Sequence, residues 1–218
     1  LAPILGMNRG TLLAKISRKK DFVWIARQLD KQTSEAIAKL KIKELELRPE
    51  WKRFYPNKFA AGHLIGFAGL DHAGLEGVEF MYDSYLRGIP GWKSTVKDAK
   101  QHEVVSKQSE LVLPVDGYDL VLTLDVVLQH SADKFLAETC KKYNAVGGVI
   151  AVMDPRNGDV LALANYPAFD PNRASQTDTD HRRNRSITDI YEPGSVFKIF
   201  TLAGAIEEGL VHATDRIF

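Results

Sequence analysis

The sequence has a single cysteine, Cys140, among its 218 residues. A lone cysteine excludes an intramolecular disulfide and a zinc site built from several cysteines, but it does not decide between a reducing and an oxidising compartment. The formal net charge is only +1, so charge gives no argument for nucleic acid or an anionic membrane as a partner. The sequence also shows no metal-ligand spacing among the histidines His63, His72, His102 and His130. We therefore expect neither a metal nor a cofactor.

Long apolar runs are missing as well. No stretch is long enough to span a bilayer, the best apolar run (residues 147–153) has only the length of a strand, and no signal peptide opens the chain. Because the chain starts at Leu1 without methionine and stops at Phe218 in mid-pattern, we interpret both ends as artificial or processing boundaries. The apolar fraction of 44% is ordinary for a globular protein with one large or two small domains.

The apolar pattern predicts mixed helices and strands, with a change of character near Pro114. Before this point, residues 21–29 and 33–41 predict two short helices. Residues 75–87 have the helical period and predict a third helix. Residues 92–115 carry alternating charges and predict exposed strands.

The second part of the chain has stronger local signals. Residues 118–124 predict a strand, and Asp125 predicts the N-cap of a helix that runs to about Lys142. Residues 148–154 and 159–164 predict a hairpin, because they are apolar and an Asn-Gly turn joins them. Residues 169–189 are polar, which predicts a long surface loop in which the basic run 181–185 is solvated. The alternative for this run is contact with acidic glycan peptides or a partner.

One pattern could carry chemistry, a serine three positions before a lysine. On a helix this spacing places both side chains on one face. A lysine kept neutral by desolvation can then take the serine proton and make the hydroxyl a nucleophile. The spacing alone does not discriminate, since the chain contains it four times: Ser17/Lys20, Ser94/Lys97, Ser131/Lys134 and Ser195/Lys198.

Local context favours Ser195. It follows the Pro193-Gly194 break directly, where we expect a helix to begin, and the positive end of a helix favours developing negative charge. The helix is apolar nearly all round to about Glu208, which predicts a buried helix and a desolvated Lys198. The alternative is that Ser195 is only an N-cap and Lys198 an exposed residue.

The other three pairs have less favourable surroundings. Ser17 leads into the basic run 18–20, which we expect to be solvated. Ser94 lies in a predicted strand, where positions three apart face opposite ways. Ser131 lies on a predicted helix whose surface is polar.

Residues 183–198 resemble the active-serine segment of class B penicillin-binding proteins. Asn184-Arg185, Thr188-Asp189 and Glu192-Pro193-Gly194-Ser195 carry the resemblance. Similar motifs occur upstream in the family's order: Arg53-Phe54-Tyr55-Pro56, His63-Leu64-Ile65-Gly66-Phe67, Gly74-Leu75-Glu76-Gly77-Val78-Glu79, Tyr85-Leu86-Arg87-Gly88 and Leu122-Thr123-Leu124-Asp125. The resemblance covers nearly the whole chain and leans toward the division-specific subtype.

The resemblance implies an α+β fold with two parts. Residues 1–113 would form a mixed α/β pedestal domain of the dimerisation type. Residues 114–218 would form the N-terminal part of a transpeptidase domain with a fold like that of β-lactamases. It also implies a peptidoglycan D,D-transpeptidase that crosslinks stem peptides through an acyl-serine intermediate, with Ser195 as nucleophile and Lys198 as general base.

The family's partners and location are implied in the same way. The implied partners are stem peptides, covalently bound β-lactams, a SEDS-type glycosyltransferase and divisome or elongasome proteins. The resemblance implies no nucleic-acid partner, and it leaves the formation of a homodimer undecided. The location would be the extracytoplasmic side of the bacterial membrane, with a single-pass anchor that is absent from these residues.

The sequence also departs from the family. Its Ser-x-Asn and Lys-Thr-Gly motifs do not appear after Lys198, and Val196 stands where the family usually has threonine. We therefore expect this chain to be inactive by itself. Two alternatives remain: a non-catalytic pedestal or docking module, centred on residues 1–113, and a β-lactam sensor or serine β-lactamase, against which the upstream motifs argue.

Overall fold

Short helices alternate with short antiparallel strands along the chain. The computed structural model describes residues 1–18, 22–94, 96–97, 103–104 and 110–216. The elements are α1 (Arg9–Ile16), α2 (Lys31–Ala38), α3 (Gly62–Ile65), β1 (Phe67–Ala68), β2 (Gly74–Glu76), α4 (Gly77–Met81), α5 (Asp83–Leu86), β3 (Trp92–Ser94), β4 (Val96–Lys97), β5 (Glu103–Val104), β6 (Glu110–Val112), α6 (Val126–Lys142), β7 (Gly148–Met153), β8 (Val160–Tyr166), α7 (Thr179–Arg182), α8 (Arg185–Thr188) and α9 (Lys198–Glu207). Two 3₁₀ helices, Pro171–Gln176 and Gly194–Phe197, complete the described elements, and the predicted α+β class is confirmed.

Helix α6 and the hairpin β7–β8 form one packed unit, as predicted. Asp125 caps α6, because its Oδ1 accepts from the backbone N–H groups of Val127 and Leu128 at 2.8 and 2.9 Å. Strands β7 and β8 pair antiparallel. The buried residues of this core come from the helix and β8: Ala132, Leu136, Cys140, Ala162 and Ala164.

A buried amide side chain joins α6 to β8. Gln129 is only 2% exposed. Its Oε1 accepts from Leu163 N–H at 2.8 Å, and its Nε2 donates to Leu163 O at 3.1 Å. Strand β8 pairs with β7 along one edge. On its other edge the Gln129 amide binds the backbone N–H and C=O of Leu163, as a further strand would.

The N-terminal part folds tightly around two glycines. Gly66 and Gly77 have φ of +72° and +61°, values that favour glycine. A Cβ on Gly66 would lie 1.8 Å from Glu76 O, so only glycine fits this close approach. Beside this turn, buried Glu79 pairs with Arg53, whose Nε lies 2.7 Å from Glu79 Oε1.

A second core joins the two parts of the chain. Tyr55 and Phe67 are buried together with Phe169 and Ala174, and Ile65 packs against them. The segment predicted as a surface loop (residues 169–189) therefore contributes to the interior, and that prediction is wrong. The reason is that its few apolar residues are satisfied by partners more than a hundred positions away, which a local pattern does not reveal. The division of domains at 113/114 stays a prediction.

Several other local predictions need correction. Residues 22–29 form no helix: Gln28 has φ of +51°, and its N–H donates to Glu50 Oε2 at 2.9 Å. Asp21 lies outside the described residues. Helix α2 begins at Lys31 with Asp30 as its N-cap, earlier than predicted. Residues 118–124 form no strand.

The predicted helix over residues 75–87 is correct only from Gly77 onward. The structure places Gly74–Glu76 in strand β2 and begins α4 at Gly77. The strands predicted within 92–115 are confirmed where the structure describes them, as the pairs β3–β6 and β4–β5. Residues 95, 98–102 and 105–109 of this stretch lie outside the described residues. Helix α1 had no counterpart in the predictions.

Candidate active site

Ser195 lies in a tight turn that leads into α9. Pro193 precedes Gly194, whose φ of +56° reverses the chain, and Gly194–Phe197 forms one 3₁₀ turn. Lys198 is the first residue of α9 and donates its backbone N–H to Ser195 O. In a 3₁₀ turn, positions i and i+3 eclipse each other, so Ser195 and Lys198 project to the same side. The break and the helix start were both predicted.

The predicted burial of α9 is wrong for these residues. None of its residues is buried, and Ile199 and Phe200 are each 68% exposed. Lys198 is exposed too, so the desolvation expected for it is missing. The physical reason is that the described residues provide no layer over the apolar sides of α9. Neither Ser195 nor Lys198 has a side-chain hydrogen bond or ion pair within the described part of the chain.

The other serine–lysine pairs differ from Ser195/Lys198 in their surroundings. Ser94 lies in β3, as predicted, and Lys97 in β4. Ser131 lies in α6, where its Oγ donates to Val127 O at 2.9 Å and is thereby engaged by the backbone. The partner of Ser17, Lys20, lies outside the described residues.

A compact set of ion pairs holds the segment before Ser195. Arg185 reaches Asp180 Oδ2 with Nη2 at 2.7 Å and Asp189 Oδ2 with Nη1 at 3.1 Å. Arg183 Nη2 also lies 3.1 Å from Asp189 Oδ1. The Arg185 side chain is only 10% exposed. The prediction that the basic run 181–185 is solvated is therefore wrong for Arg185, because acidic residues on both sides of the run neutralise it.

Two N-terminal residues reach the same segment. His63 is 7% exposed, and its Nε2 lies 2.9 Å from His181 O. Glu76 Oε1 lies 2.8 Å from Arg182 Nη1. Two consecutive residues, 181 and 182, are thus each bound by a residue from the N-terminal part. In the sequence, His63 and Glu76 stand out only as members of the family-like motifs at residues 63–67 and 74–79.

Burial sets the ionisation of these two groups. Burial lowers the pKa of His63 below its usual 6.5, opposed by the hydrogen bond to His181 and assisted by the nearby Arg185 charge. Burial raises the pKa of Glu76, and the Arg182 charge partly offsets this. The His63 ring packs edge-on against Phe169, with centroids 4.9 Å apart.

An amide pair anchors α8 to the hairpin. Asn165, which is buried in β8, donates from Nδ2 to Asn184 Oδ1 at 3.1 Å. Its Oδ1 accepts from Ser186 N–H at 3.1 Å. The segment that leads to Ser195 is thereby fixed to β8 as well as to the N-terminal part. Beyond it, Ile190 and Tyr191 are fully or largely exposed.

The described residues offer little for a metal or a membrane. They contain no group of three or more His, Cys, Asp or Glu side chains placed to hold a metal ion. No helix among them has the length and apolarity needed to cross a bilayer. Two depressions, of about 640 and 1230 Å³, lie in the N-terminal part, and neither includes Ser195 or Lys198 in its lining.

Two known domain families match separate stretches of the chain. Residues 1–122 match the penicillin-binding protein dimerisation domain. Residues 148–218 match the penicillin-binding protein transpeptidase domain. The chain therefore belongs to the penicillin-binding proteins, and it combines part or all of a pedestal with part of a transpeptidase domain.

Individual relatives extend the match over the whole chain. It is 36% identical to the probable peptidoglycan D,D-transpeptidase PenA of Neisseria meningitidis, covering 100% of this chain and 38% of PenA. It is 35% identical to the peptidoglycan D,D-transpeptidase FtsI of Escherichia coli, covering 97% of this chain and 36% of FtsI. The chain thus spans well under half the length of these relatives.

A solved structure shows the same fold. A complex between penicillin-binding protein PBP2 and MreC from Helicobacter pylori superposes with a TM-score of 0.71 at 26% identity. The match covers 99% of this chain and 45% of the solved chain. This chain therefore shares its fold with part of that protein.

Proposed function

We propose that the protein containing these residues is a peptidoglycan D,D-transpeptidase in which Ser195 is acylated and Lys198 is the general base. The observation that carries the proposal is the position of Ser195. It lies one 3₁₀ turn before Lys198, inside the stretch that matches the transpeptidase family. Relatives that carry the transpeptidase name are similar over essentially the entire chain.

The proposed reaction has two steps. Ser195 Oγ attacks the carbonyl carbon between the two terminal D-alanines of a stem peptide while the Lys198 amine takes its proton. The C–N bond breaks, terminal D-alanine leaves with a proton, and the peptide stays on Ser195 as an ester. An amine of a second stem peptide then attacks the ester and releases the serine. A β-lactam enters the first step, and its opened ring stays attached.

Lys198 can accept a proton only in its neutral form, which desolvation favours. The exposed α9 does not supply that environment, so we assign it to the parts of the transpeptidase domain that lie outside these residues. The Ser-x-Asn and Lys-Thr-Gly motifs belong to the same missing environment. We accordingly propose that these 218 residues alone do not turn over substrate.

The remaining assignments follow from the family. We propose residues 1–113 as the pedestal and residues 114–218 as the start of the catalytic domain. The protein would act on the extracytoplasmic side of a bacterial membrane, held by a single-pass anchor, in cell division. Its proposed partners are a SEDS-type glycosyltransferase and divisome or elongasome proteins.

Labelling with a fluorescent penicillin tests the catalytic assignment. In the full-length protein, Ser195→Ala should abolish covalent labelling, and Lys198→Arg should slow it by about 10²–10⁴-fold, because arginine cannot act as the base. Ser131→Ala is the matched control, since Ser131 has the same spacing to a lysine, and it should label normally. Labelling of Ser195→Ala at the wild-type rate, or a labelled peptide that maps elsewhere, would overturn the assignment.

A non-catalytic docking role for the pedestal is a second candidate function. The similarity to a penicillin-binding protein solved in complex with MreC favours it. Such a role needs the pedestal surface and not the nucleophile. Full-length Ser195→Ala should therefore bind an MreC-type partner as tightly as the wild type, and weakened binding would contradict a docking role independent of catalysis.

A further inference from the structure

The ion pair between Glu76 and Arg182 joins the N-terminal part to the segment that leads to Ser195. Arg182 is held in several directions at once. Its Nη1 contacts Glu76 at 2.8 Å, and the centre of its guanidinium lies 5.1 Å above the Phe67 ring. Nη2 lies 3.4 Å from Thr179 Oγ1. An ion pair combined with stacking fixes both the position and the plane of the guanidinium.

This pair is a poor source of stability. The Arg182 side chain is only 18% exposed, and its Nε is buried without a hydrogen-bond partner in the described structure. Burial raises the pKa of Glu76 despite the neighbouring cation, so the charged form costs free energy in the folded state. Partly buried ion pairs of this kind often contribute less to stability than to a defined geometry.

The geometry that this pair defines extends toward Ser195. Arg183 and Arg185 follow directly, and both contact Asp189. Arg185 also contacts Asp180, two positions before Arg182. Ion pairs thus connect residues within the segment from 180 to 189. Arg182 is the side chain of this segment that pairs with Glu76 of the N-terminal part.

Past Asp189 the chain loses its support. Ile190 is fully exposed and Tyr191 is 80% exposed, and the described residues give Ser195 no side-chain partner. The ion pairs at Asp189 are thus the last described side-chain anchors before Ser195. If Arg182 moved, Arg183, Arg185 and their partner Asp189 would move with it, and so would the start of the segment that carries Ser195.

We infer that Glu76 and Arg182 are positioning residues for acylation at Ser195: the N-terminal part uses them to set where the serine segment begins. The inference rests on the proposed function, since it concerns the rate at which Ser195 is acylated. It assigns the N-terminal part a role in the reaction rate besides holding the catalytic domain. Both residues would act through the serine segment and not by touching substrate.

The test uses the full-length protein and separates binding from acylation. Acylation by a fluorescent penicillin is followed at increasing concentration, which gives the rate constant at saturation and the affinity of the preceding complex. Glu76→Gln keeps the size of the side chain and removes its charge. We expect the saturating acylation rate to fall about tenfold or more, because displacement of about 1 Å can cost about a hundredfold, with little change in the affinity.

Two further measurements separate positioning from loss of structure. The double variant Glu76→Gln/Arg182→Gln should be no slower than the slower single variant, because both act through one pair. Glu76→Asp should restore part of the rate. The control is Arg156→Gln, which removes the exposed pair with Asp154 in the hairpin turn and should leave acylation unchanged.

Three results would overturn the inference. The first is a wild-type saturating acylation rate in folded Glu76→Gln, and the second is a rate that falls only in proportion to the folded fraction. The third is a double variant whose loss of rate equals the combined losses of the two single variants. If Glu76→Gln does not fold, Arg182→Lys decides, since it keeps the charge but loses the planar stack, and a wild-type rate there overturns the inference. Failure of the proposed function looks different, because Ser195→Ala in the same series would then still be labelled.

Discussion

The side-chain amide of Asn172 binds both backbone groups of Tyr55. Its Oδ1 accepts from Tyr55 N–H at 3.0 Å, and its Nδ2 donates to Tyr55 O at 2.8 Å. The Tyr55 hydroxyl then accepts from Ala68 N–H at 2.8 Å. One amide therefore ties the motif at residues 53–56 to the 3₁₀ helix Pro171–Gln176, and through Tyr55 to strand β1.

Replacement of Asn172 by aspartate should destabilise the protein. The new carboxylate oxygen would face Tyr55 O and Asp170 Oδ1, both of which now accept from Asn172 Nδ2 at 2.8 Å. Both acceptors would lose this donor and face another oxygen instead, although each still accepts from a backbone N–H group. We therefore expect the free energy of unfolding to fall by about 1–3 kcal/mol. Urea unfolding measures this. Asn57→Asp, at an exposed position nearby, should stay within about 0.5 kcal/mol of the wild type, and an equal loss in both variants would contradict the assigned role.

Acid should weaken the interface through His63. Burial lowers the pKa of His63 below 6.5, so the unfolded state binds a proton first as pH falls. The free energy of unfolding is therefore highest at a pH above the usual histidine pKa of 6.5, and it decreases as the pH falls below that value. In His63→Gln, whose amide can still donate to His181 O, the decrease between about pH 7.5 and about pH 5.5 should be smaller, because that group no longer titrates.

The control for this pH effect is His212→Gln. His212 is exposed and lies 3.6 Å from Asp215, so it does not share the environment of His63. Its replacement should leave the wild-type decrease below pH 6.5 in place. Equal pH slopes for wild type and His63→Gln would show that His63 is not the group responsible.

Gly62→Ala should be destabilising because of its neighbours. A Cβ at this position would lie 2.7 Å from Phe169 O and 3.3 Å from Pro171 Cδ. The overpacked interface should lose about 1–3 kcal/mol of unfolding free energy. Gly204→Ala, in α9 with open space around it among the described residues, should be neutral or gain up to about 1 kcal/mol from helix propensity when both variants are made in the 218-residue chain. Calorimetry of both variants distinguishes crowding from a general effect of alanine.

The isolated 218-residue chain should react poorly with penicillin. Its α9 is exposed, and neither Ser-x-Asn nor Lys-Thr-Gly follows Lys198 in the sequence. We expect labelled penicillin to acylate it far more slowly than the full-length protein at equal concentration. Comparable rates in the two proteins would show that the missing motifs are dispensable for acylation.

Local signals in the sequence predicted the structure well where neighbours in sequence are also neighbours in space. Asp125 caps α6, and Gly158, with φ of +79°, lies in the turn between β7 and β8, both as predicted. Each depends on only a few adjacent residues. The family motifs likewise located Ser195, although its role stays a prediction.

The errors share a different cause. Polar residues in 169–189 predicted a surface loop, yet Arg182 pairs with Glu76 across 106 positions and Asn172 with Tyr55 across 117. A sequence pattern does not distinguish a solvated charge from one that is paired with a distant partner. The opposite error occurred at α9, where an apolar pattern predicted burial without showing which residues would cover it.

The distance in sequence between Tyr55 and Asn172 also has a consequence for the order of folding. Helix α6 and the hairpin β7–β8 form by closing only short loops, whereas the contact between Tyr55 and Asn172 closes a loop of 117 positions. Closing a longer loop costs more chain entropy and slows folding. Amide-exchange labelling during refolding should therefore show protection of α6, β7 and β8 before protection of Tyr55 N–H.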